Sequence, residues 1–348
     1  MPSQARLTDS WMLGRLRVPN RVLLAPLAGI GNWFVRLQAK RYGAGMAVSE
    51  MISSHAVHYG NRKTCTEMLR IDVRERDAGP VAIQLFGEDP AIMRSAAAHV
   101  ARAGADAIDI NMGCPVPKVR KTGAGAALLA DPDRAVAVAR AAVQGAVGDA
   151  GRLPVTVKLR CGLRPGERSG LALAQRLVRE AGVDAIALHP RSADVHHKGT
   201  PQYELAAMLA QSLPAPVILT GGLDSAARVR EAFASTGVAA VMLARGALGN
   251  PWLFDELLRE RQLPPTRGEV LSELEWTIGR AVEHLGEPRA ARYLRKFYPW
   301  YVERLALPPA AARQLQAALQ AAEGIGQARR LLDPLRAPRA RDTLAAAI

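Results

Sequence analysis

The sequence predicts an α/β protein that folds as a (β/α)8 TIM barrel and ends in an all-helical domain. Eight short apolar runs recur between residues 22 and 243, helix signals lie in most of the gaps, and no strand candidate follows residue 252. Such continuous apolar runs are typical of strands buried on both faces of a parallel sheet. The predicted strands are Val22–Ala25, Met46–Ser49, Val81–Leu85, Ala107–Ile110, Val155–Leu159, Ala185–Leu188, Val217–Leu219 and Ala239–Leu243.

Helices are predicted between these strands, because Asp or Ser before an apolar-periodic segment and Gly after it mark where a helix begins and ends. Eight strands alternating with helices favour a closed barrel. An open doubly wound sheet is the alternative, and the count of eight disfavours it. The predicted helices begin at Pro90 and Pro132 and cover Leu171–Glu180, capped by Ser169, and Ala226–Ala234, preceded by Asp224 and Ser225.

The sequence pattern changes after Trp252. Two Pro-Pro pairs, at residues 264–265 and 308–309, separate long helical segments whose later part is rich in Arg. We therefore predict two domains, with a barrel at residues 1–258 and a basic helical domain at residues 259–348. The predicted helices are Glu269–Leu285, Ala290–Leu305 and Ala310–Leu332.

The net charge is +14 at pH 7 and the isoelectric point is about 10.4. This excess favours an anionic partner, with nucleic acid as the first candidate. General use of Arg as the polar residue is the alternative explanation. Three cysteines without CxxC spacing argue against a disulfide framework and a zinc site, and they indicate a reducing cytoplasm. No apolar run has the length of a membrane helix.

Polar or glycine-rich residues follow each predicted strand. In a (β/α)8 barrel these positions meet at the carboxyl-end rim, where active sites lie. The segments after strands 7 and 8 resemble a phosphate site built from backbone N–H groups, although two ordinary glycine turns are the alternative. The rim positions are Pro26–Gly29, Ser49-Glu50, Gln84, Asn111 with Cys114, Lys158 with Arg160, His189 with Arg191, Thr220–Gly222 and Ala244–Gly249.

Three of these side chains carry alternative interpretations. Lys158 is either paired with an anionic or electron-rich ligand, or extends to solvent. His189 is either functional or a core histidine with satisfied hydrogen bonds. Cys114 is either a small buried apolar residue or a reactive thiol, and its loop position between Gly113 and Pro115 favours the thiol.

The sequence contains no motif for nucleophilic hydrolysis, dinucleotide binding or metal binding. No Ser/His/Asp arrangement is evident, no GxGxxG follows the first strand, and no His/Cys/carboxylate set has metal-ligand spacing. We interpret His196 and His197 as a solvated loop pair. A thiol near a phosphate-bearing cofactor, without a metal, indicates proton donation beside a redox cofactor.

The segment Ile110–Pro115 resembles the signature of the flavin-dependent tRNA-dihydrouridine synthases, and it is most similar to the bacterial B-type subgroup. The resemblance extends from about Leu13 to about Leu335. It also includes Ala25–Gly29, Ser49–Met51, Gln84, Lys158–Arg160, His189–Ser192, Gly221, Arg245, Asn250–Trp252, Arg295-Lys296 and Trp300-Tyr301. The sequence departs from the family pattern at Gly31-Asn32, at His197 and at Gly222.

The resemblance implies an FMN cofactor on the barrel rim. It places Pro26, Leu27 and Ala28 under the isoalloxazine ring. It places Gln84, Lys158 and His189 at the polar edge and the ribityl chain. It assigns the phosphate to Thr220, Gly221, Gly222, Ala244 and Arg245.

The resemblance also implies a reaction, namely reduction of the C5–C6 double bond of uridines in tRNA. Flavin N5 would deliver hydride to C6, Cys114 would protonate C5, and NADPH would reduce the flavin again. The base must leave its stack to reach the rim. Asn111 and Arg191 would hold its edge, and the helical domain would bind the tRNA backbone through Arg295 and Lys296.

The expected protein is thus a cytoplasmic monomer with no membrane partner. Two other functions remain open from the sequence. A flavin oxidoreductase for a free pyrimidine or another small molecule would share the barrel and Cys114 but would leave the basic helical domain unexplained. A non-catalytic RNA-binding protein with the same fold would not need Cys114, Lys158 and His189.

Overall fold

The computed structural model describes residues 5–148 and 151–336. Its strands are β1 (Trp11–Leu13), β2 (Leu16–Val18), β3 (Val22–Leu24), β4 (Ala47–Ser53), β5 (Val81–Phe86), β6 (Ala107–Met112), β7 (Val147–Gly148), β8 (Gly151–Arg152), β9 (Val155–Arg160), β10 (Ala185–His189), β11 (Val217–Thr220) and β12 (Ala240–Leu243).

Eight parallel strands form a closed barrel. Their hydrogen-bonded order is β3-β4-β5-β6-β9-β10-β11-β12, and β12 pairs with β3 to close the ring. Each barrel strand corresponds to one of the eight predicted apolar runs. The predicted (β/α)8 fold class is therefore confirmed, and closure excludes the open doubly wound alternative.

Helices connect the barrel strands and continue after them. Asp89, Asp131 and Ser225 cap their helices through side-chain oxygens that accept backbone N–H groups, as predicted. Ser169 instead begins its helix without capping it. The helices are α1 (Trp33–Arg41), α2 (Ser54–His58), α3 (Val73–Asp77), α4 (Pro90–Arg102), α5 (Pro117–Arg120), α6 (Pro132–Gly145), α7 (Ser169–Arg176), α8 (Tyr203–Ser212), α9 (Ala226–Thr236), α10 (Trp252–Leu258), α11 (Arg267–Leu285), α12 (Glu287–Leu294), α13 (Tyr298–Val302), α14 (Pro309–Ala321) and α15 (Ile325–Leu332).

The hairpin β1–β2 packs against the barrel interior near the amino-terminal ends of the strands. Its Trp11, Leu13 and Val18 join one buried cluster with small interior residues such as Ala107 and Ala185. The turn at Gly14 lies against Asp184 and Pro154, which precede β10 and β9. The hairpin therefore lies at the amino-terminal end of the barrel. The hairpin was not predicted, because three-residue strands carry little periodicity.

Side chains alternate between the inside and the outside of each barrel strand. Ala107 belongs to the lower apolar cluster, so Asp109 and Asn111 on the same face of β6 also point inward. The same alternation places Gln84 above Ala82 and His189 above Ala187. The barrel interior is thus apolar near its amino-terminal end and polar near its carboxyl end.

The predictions of two long helices were wrong, because each segment forms two shorter helices. The segment predicted at Ala290–Leu305 forms α12 and α13, with a break before Pro299, whose ring cannot continue the i to i−4 hydrogen bonding. The segment predicted at Ala310–Leu332 forms α14 and α15, and Gly324 begins the second of them. Pro299 and Gly324 were the sequence signals for these two interruptions.

The chain divides into two compact units. The first contains the residues up to 247 together with 253–260, and the second contains 248–252 together with the residues from 261 onward. All the barrel strands belong to the first unit, and α11–α15 belong to the second. Residues 337–348 of the predicted helical domain lie outside the described residues. Among the described residues, no helix combines the length and the apolar character needed to span a bilayer.

Candidate active site at the carboxyl end of the barrel

The predicted site residues of the barrel lie at the carboxyl ends of its strands. Their neighbours in the sheet bring several of them together: Gln84 lies opposite Asp109, and Asn111 lies opposite Lys158. The positions are Pro26–Ala28 after β3, Gln84 on β5, Asn111 on β6, Cys114 after β6, Lys158 on β9, His189 at the end of β10, Arg191 after it, Thr220 at the end of β11, Gly221 and Gly222 after it, and Ala244 and Arg245 after β12.

Cys114 lies half-buried on a loop that is fixed from two sides. Asn111 Oδ1 accepts the backbone N–H groups of Gly113 (3.2 Å) and Cys114 (2.9 Å). Arg160, which is buried, donates from Nε to the carbonyl of Gly113 (3.0 Å). A Cβ atom on Gly125 would lie 2.9 Å from the carbonyl oxygen of Cys114, so this glycine allows the close approach of two loops. The thiol is therefore held in a defined position at the rim.

Below Cys114, polar side chains fill the interior of the barrel. Asn111 Nδ2 donates to Gln84 Oε1 (2.9 Å), and Gln84 Nε2 donates to Asp109 Oδ2 (2.5 Å). Thr156 Oγ1 donates to the other carboxylate oxygen of Asp109. Gln84 and Asp109 are each 1% exposed. Their hydrogen bonds offset the cost of burying these polar groups.

Lys158 and Asp109 are neighbouring groups of opposite charge in this interior. Burial lowers the pKa of Lys158 to about 8, and the positive charge of Arg160 acts in the same direction. Burial raises the pKa of Asp109 to about 6, although its hydrogen bonds from Thr156 and Gln84 oppose the shift. Both oxygens of Asp109 accept hydrogen bonds, from Gln84 and Thr156, as expected of an ionised carboxylate beside a cation.

The neutral form of His189 is favoured in the folded protein. Burial lowers its pKa, and the positive charges of Lys158, Arg160 and Arg191 lower it further. Arg191 Nη1 lies 3.3 Å from His189 Nε2. A guanidinium can only donate, so Nε2 must accept and the ring proton must lie on Nδ1.

The loops after β11 and β12 contain the glycines predicted for a phosphate site. A Cβ atom on Gly221, whose φ is +104°, would lie 2.4 Å from the His189 ring. A Cβ atom on Gly246 would lie 2.6 Å from the carbonyl oxygen of Leu223, so the two loops are in close contact. Tyr203 Oη donates to the carbonyl of Gly221 (3.0 Å). Only residues without side chains allow this backbone packing.

A cluster of cations surrounds these loops. Burial and the charge of Arg245 lower the pKa of Arg191. Burial lowers the pKa of Arg160 to about 10. In the part of the chain that the structure describes, Arg245 forms no ion pair with a carboxylate, whereas Lys158 has Asp109 as an oppositely charged neighbour. An anionic ligand such as the phosphate of a mononucleotide fits this arrangement, because it would supply the missing negative charge.

The neutral state of His189 leads to a pH-dependent prediction. Below about pH 6.5 the unfolded chain binds a proton at this histidine and the folded chain does not, so stability is lost as the pH falls. His189→Gln removes this loss. Relative to the wild type, the variant should gain about 1–2 kcal/mol in the free energy of unfolding between pH 7.5 and pH 5. Asp109 and His197, whose pKa is lowered to about 4 by burial and nearby cations, are present in both proteins, so their contributions cancel in the difference.

Urea unfolding of both proteins at several pH values measures this effect. Lys198→Gln, at an exposed position of the neighbouring loop, serves as a control whose stability relative to the wild type should not depend on pH in this range. A constant difference between His189→Gln and the wild type from pH 7.5 to pH 5 would contradict the assignment of a neutral histidine.

Arg295 and Lys296 belong to the second unit. They follow α12 and are exposed. Arg295 Nη2 donates to the carbonyl of Ala322 (3.2 Å), and Lys296 Nζ lies 5.5 Å from the centre of the Tyr293 ring. These contacts hold the two cations at the break between α12 and α13, and their role in binding tRNA stays a prediction.

Four residues of the site were missed or assigned no role by the sequence analysis. Asp109 and Thr156 lie on strands that we interpreted as continuous apolar runs, yet both precede a predicted site residue by two positions, which is the inward-facing period of a strand. Arg160 holds the Cys114 loop. His197 was expected to be solvated; it is exposed, but its ring also stacks on His189 at 6.0 Å. No group of three or more His, Cys, Asp or Glu side chains within the described ranges is arranged to hold a metal ion.

Solved structures define the class of protein, a (β/α)8 barrel. Morphinone reductase matches with a TM-score of 0.54 and 18% sequence identity, over 75% of this chain and 91% of its own. 2-Naphthoyl-CoA reductase in complex with 2-naphthoyl-CoA matches with a TM-score of 0.56 and 13% identity, over 74% of this chain and 52% of its own. At these identities the likeness demonstrates the fold alone.

Sequence comparison defines the family. Residues 23–337 match the family described as dihydrouridine synthase (Dus). The tRNA-dihydrouridine synthase B of Xanthomonas campestris pv. campestris is 36% identical over 84% of this chain and 86% of its own length. The proteins of the same name from Pseudomonas aeruginosa and Shewanella oneidensis are 36% and 35% identical, each over 84% of this chain and over 87% and 89% of their own lengths.

The chain belongs to the dihydrouridine synthase family. The predicted resemblance to the bacterial B-type subgroup is confirmed, because these relatives carry that name. The prediction that the protein is an enzyme, an oxidoreductase of this family, is confirmed as well.

Proposed function

We propose that the protein is an FMN-dependent tRNA-dihydrouridine synthase that reduces the C5–C6 double bond of uridines in tRNA, with NADPH as electron donor. The observation that carries the proposal is the position of Cys114 at the same rim as the cationic cluster around His189 and Arg191. A thiol carries a proton that it can transfer at neutral pH, and the cations would bind the negative charge of an anionic cofactor.

The residues present fit an FMN cofactor. The glycine loops after β11 and β12 and the guanidinium of Arg245 would hold its phosphate, and Lys158 would lie near its electron-rich ring. Pro26, Leu27 and Ala28 would pack under the ring. When bound, the flavin supplies the hydride that the uracil ring accepts.

Cys114 performs the proton transfer in this proposal. Its thiol donates a proton to C5 of the uracil ring, and the resulting thiolate takes a proton from solvent afterwards. Arg160 and Asn111 keep the loop in place, which limits the number of orientations that the sulfur can adopt. Arg191 donates to His189 and to the carbonyl of Gly199, so its guanidinium is held beside the space in which we place the base.

Asn111 has a second role besides the predicted contact with the base. Its Oδ1 accepts two backbone N–H groups, and its Nδ2 donates to Gln84. We therefore propose that Asn111 primarily anchors the Cys114 loop. The side-chain amide of Gln84 is likewise hydrogen-bonded, to Asp109 and to Asn111. Its predicted contact with the flavin stays part of the proposal.

The tRNA itself requires basic contacts to its backbone. The chain carries a net charge of +14, and we propose that residues 259–348 form the tRNA-binding domain, with Arg295 and Lys296 contacting phosphates. The proposal also includes a cytoplasmic location and a monomeric state.

The decisive test combines a spectrum with a map of modified tRNA. The purified protein should absorb at roughly 450 nm, as oxidised flavins do. Dihydrouridine should disappear from specific tRNA positions in cells lacking the protein and return on complementation. A colourless protein would contradict the proposed FMN cofactor. Turnover of free uracil without RNA would favour a small-molecule reductase.

A further inference from the structure

A line of hydrogen-bonded side chains runs through the barrel from Asp109 to the loop of Cys114. It passes from Asp109 to Gln84 (2.5 Å), from Gln84 to Asn111 (2.9 Å), and from Asn111 to the backbone N–H of Cys114 (2.9 Å). All three side chains are at most 9% exposed. Their exchange of hydrogen bonds with water is therefore limited, and the line is a fixed part of the interior.

Asp109, at the start of this line, determines which way the side-chain amides of Gln84 and Asn111 are turned. An ionised carboxylate can only accept hydrogen bonds, so Gln84 must turn its Nε2 towards Asp109 and its Oε1 towards Asn111. Asn111 must then turn its Nδ2 towards Gln84 and its Oδ1 towards the loop. Only this orientation lets Asn111 accept the backbone N–H groups of Gly113 and Cys114. With either amide reversed, two donors would face one another.

We propose that Asp109 is a positioning residue that sets the placement of the Cys114 loop through Gln84 and Asn111. The relevance of this placement to catalysis rests on the proposed function of Cys114. Asp109 lies two residues from Asn111 and five from Cys114, and its role is indirect because its hydrogen bonds are to Gln84 and Thr156. Thr156 donates to the second oxygen of Asp109 and fixes the carboxylate.

Lys158 offers a competing explanation of why a carboxylate is buried here. The two groups are electrostatically coupled neighbours, and Asp109 would then serve only to balance the charge of Lys158. The two explanations differ for Asp109→Asn. This variant loses the negative charge, yet its Oδ1 can still accept from Gln84 while its Nδ2 donates to Thr156. It can preserve the orientation of the line, and it removes the counter-charge.

Asp109→Leu separates the explanations further, because it removes the acceptor together with the charge. Gln84 can then reverse its amide, and the loop loses a fixed acceptor for its two N–H groups. Asp106→Asn is the matched control. Asp106 precedes the same strand at its other end, and its Oδ2 accepts the N–H of Val81 (2.8 Å), far along β6 from the Cys114 loop.

The test measures how fast iodoacetamide alkylates Cys114 in the folded purified protein, and mass spectrometry of its peptides assigns the alkylated cysteine. Cys65, also half-buried, is the internal reference. Asp109→Leu should raise the alkylation rate of Cys114 about fivefold, as expected when a buried hydrogen bond is lost, and leave Cys65 unchanged. Asp109→Asn and Asp106→Asn should both stay within about twofold of the wild type.

Each contrary outcome overturns the proposal. An unchanged rate at Cys114 in Asp109→Leu would mean that the loop does not depend on Asp109. Equal rises in Asp109→Asn and Asp109→Leu would favour charge balance. Equal rises at Cys114 and Cys65 would indicate general loosening. Gln84→Met, which interrupts the line at its next member, is measured in parallel in case Asp109→Leu does not fold. It should also raise the rate at Cys114, and an unchanged rate would overturn the proposal.

Dihydrouridine formation by the flavin-loaded protein provides a second readout. Asp109→Leu should lower it by about tenfold, with the bound flavin retained, because a misplaced proton donor reacts more slowly. If the wild-type protein forms no dihydrouridine, the proposed function fails. The alkylation rates would still decide whether Asp109 positions the loop.

Discussion

Replacing Cys114 with alanine is expected to lower the rate of dihydrouridine formation in tRNA by about 10²–10³-fold, the usual loss when a general acid is removed. The flavin should remain bound, because the loop glycines and the cations that we assign to its phosphate are untouched. Cys114 is half-buried on a loop and is not a core residue, so the melting temperature should change little. Single-turnover assays with the reduced protein and unmodified tRNA measure the effect.

A matched control exists within the chain. Cys65 is also a free, half-buried cysteine, and Cys65→Ala should leave the rate unchanged. Cys114→Ser should be nearly as slow as Cys114→Ala, because a hydroxyl donates its proton less readily than a thiol. A rate for Cys114→Ala within threefold of the wild type would contradict the role of the thiol, whatever the state of the flavin.

The barrel was predictable because each of its strands can be recognised from its own short segment of sequence. Strands buried on both faces require continuous apolar residues, and each of the eight runs satisfies this requirement by itself. The carboxyl-end location of the site then follows from the parallel topology. Cys114, Lys158 and His189 could therefore be placed at one rim without coordinates, although their roles stay predictions.

The polar interior was less accessible to the same reasoning. Interpreting β6 and β9 as uniformly apolar concealed Asp109 and Thr156, which meet only because their strands are neighbours in the closed barrel. The contact of Arg160 with the Gly113 carbonyl likewise joins residues 47 positions apart. Such long-range hydrogen bonds depend on register, which a single sequence does not specify. The alternation of polar residues along both strands was the available signal.

A second large effect is expected at a buried ion pair between α1 and α3. Arg36 and Glu75 have fully buried side chains, and Arg36 Nε lies 2.5 Å from Glu75 Oε1. Arg36 also donates to the carbonyls of Gly31 (3.1 Å) and Arg70 (2.9 Å). The Gly31 contact holds the loop that follows Pro26–Ala28, so this pair supports the predicted floor of the flavin site.

Glu75→Ala should lower the free energy of unfolding by about 3–5 kcal/mol, because it leaves the Arg36 guanidinium buried without a counter-charge. Replacing both partners, as in Arg36→Met with Glu75→Leu, should restore part of the loss, since no guanidinium is left unpaired although Lys40 still loses the favourable charge of Glu75. Glu180→Ala, which breaks the exposed Arg176–Glu180 pair, is the control and should have a much smaller effect. Urea unfolding measures all three variants. If Glu75→Ala were no more destabilising than Glu180→Ala, the pair would not be buried as described, and its support for the Gly31 loop would have to be abandoned.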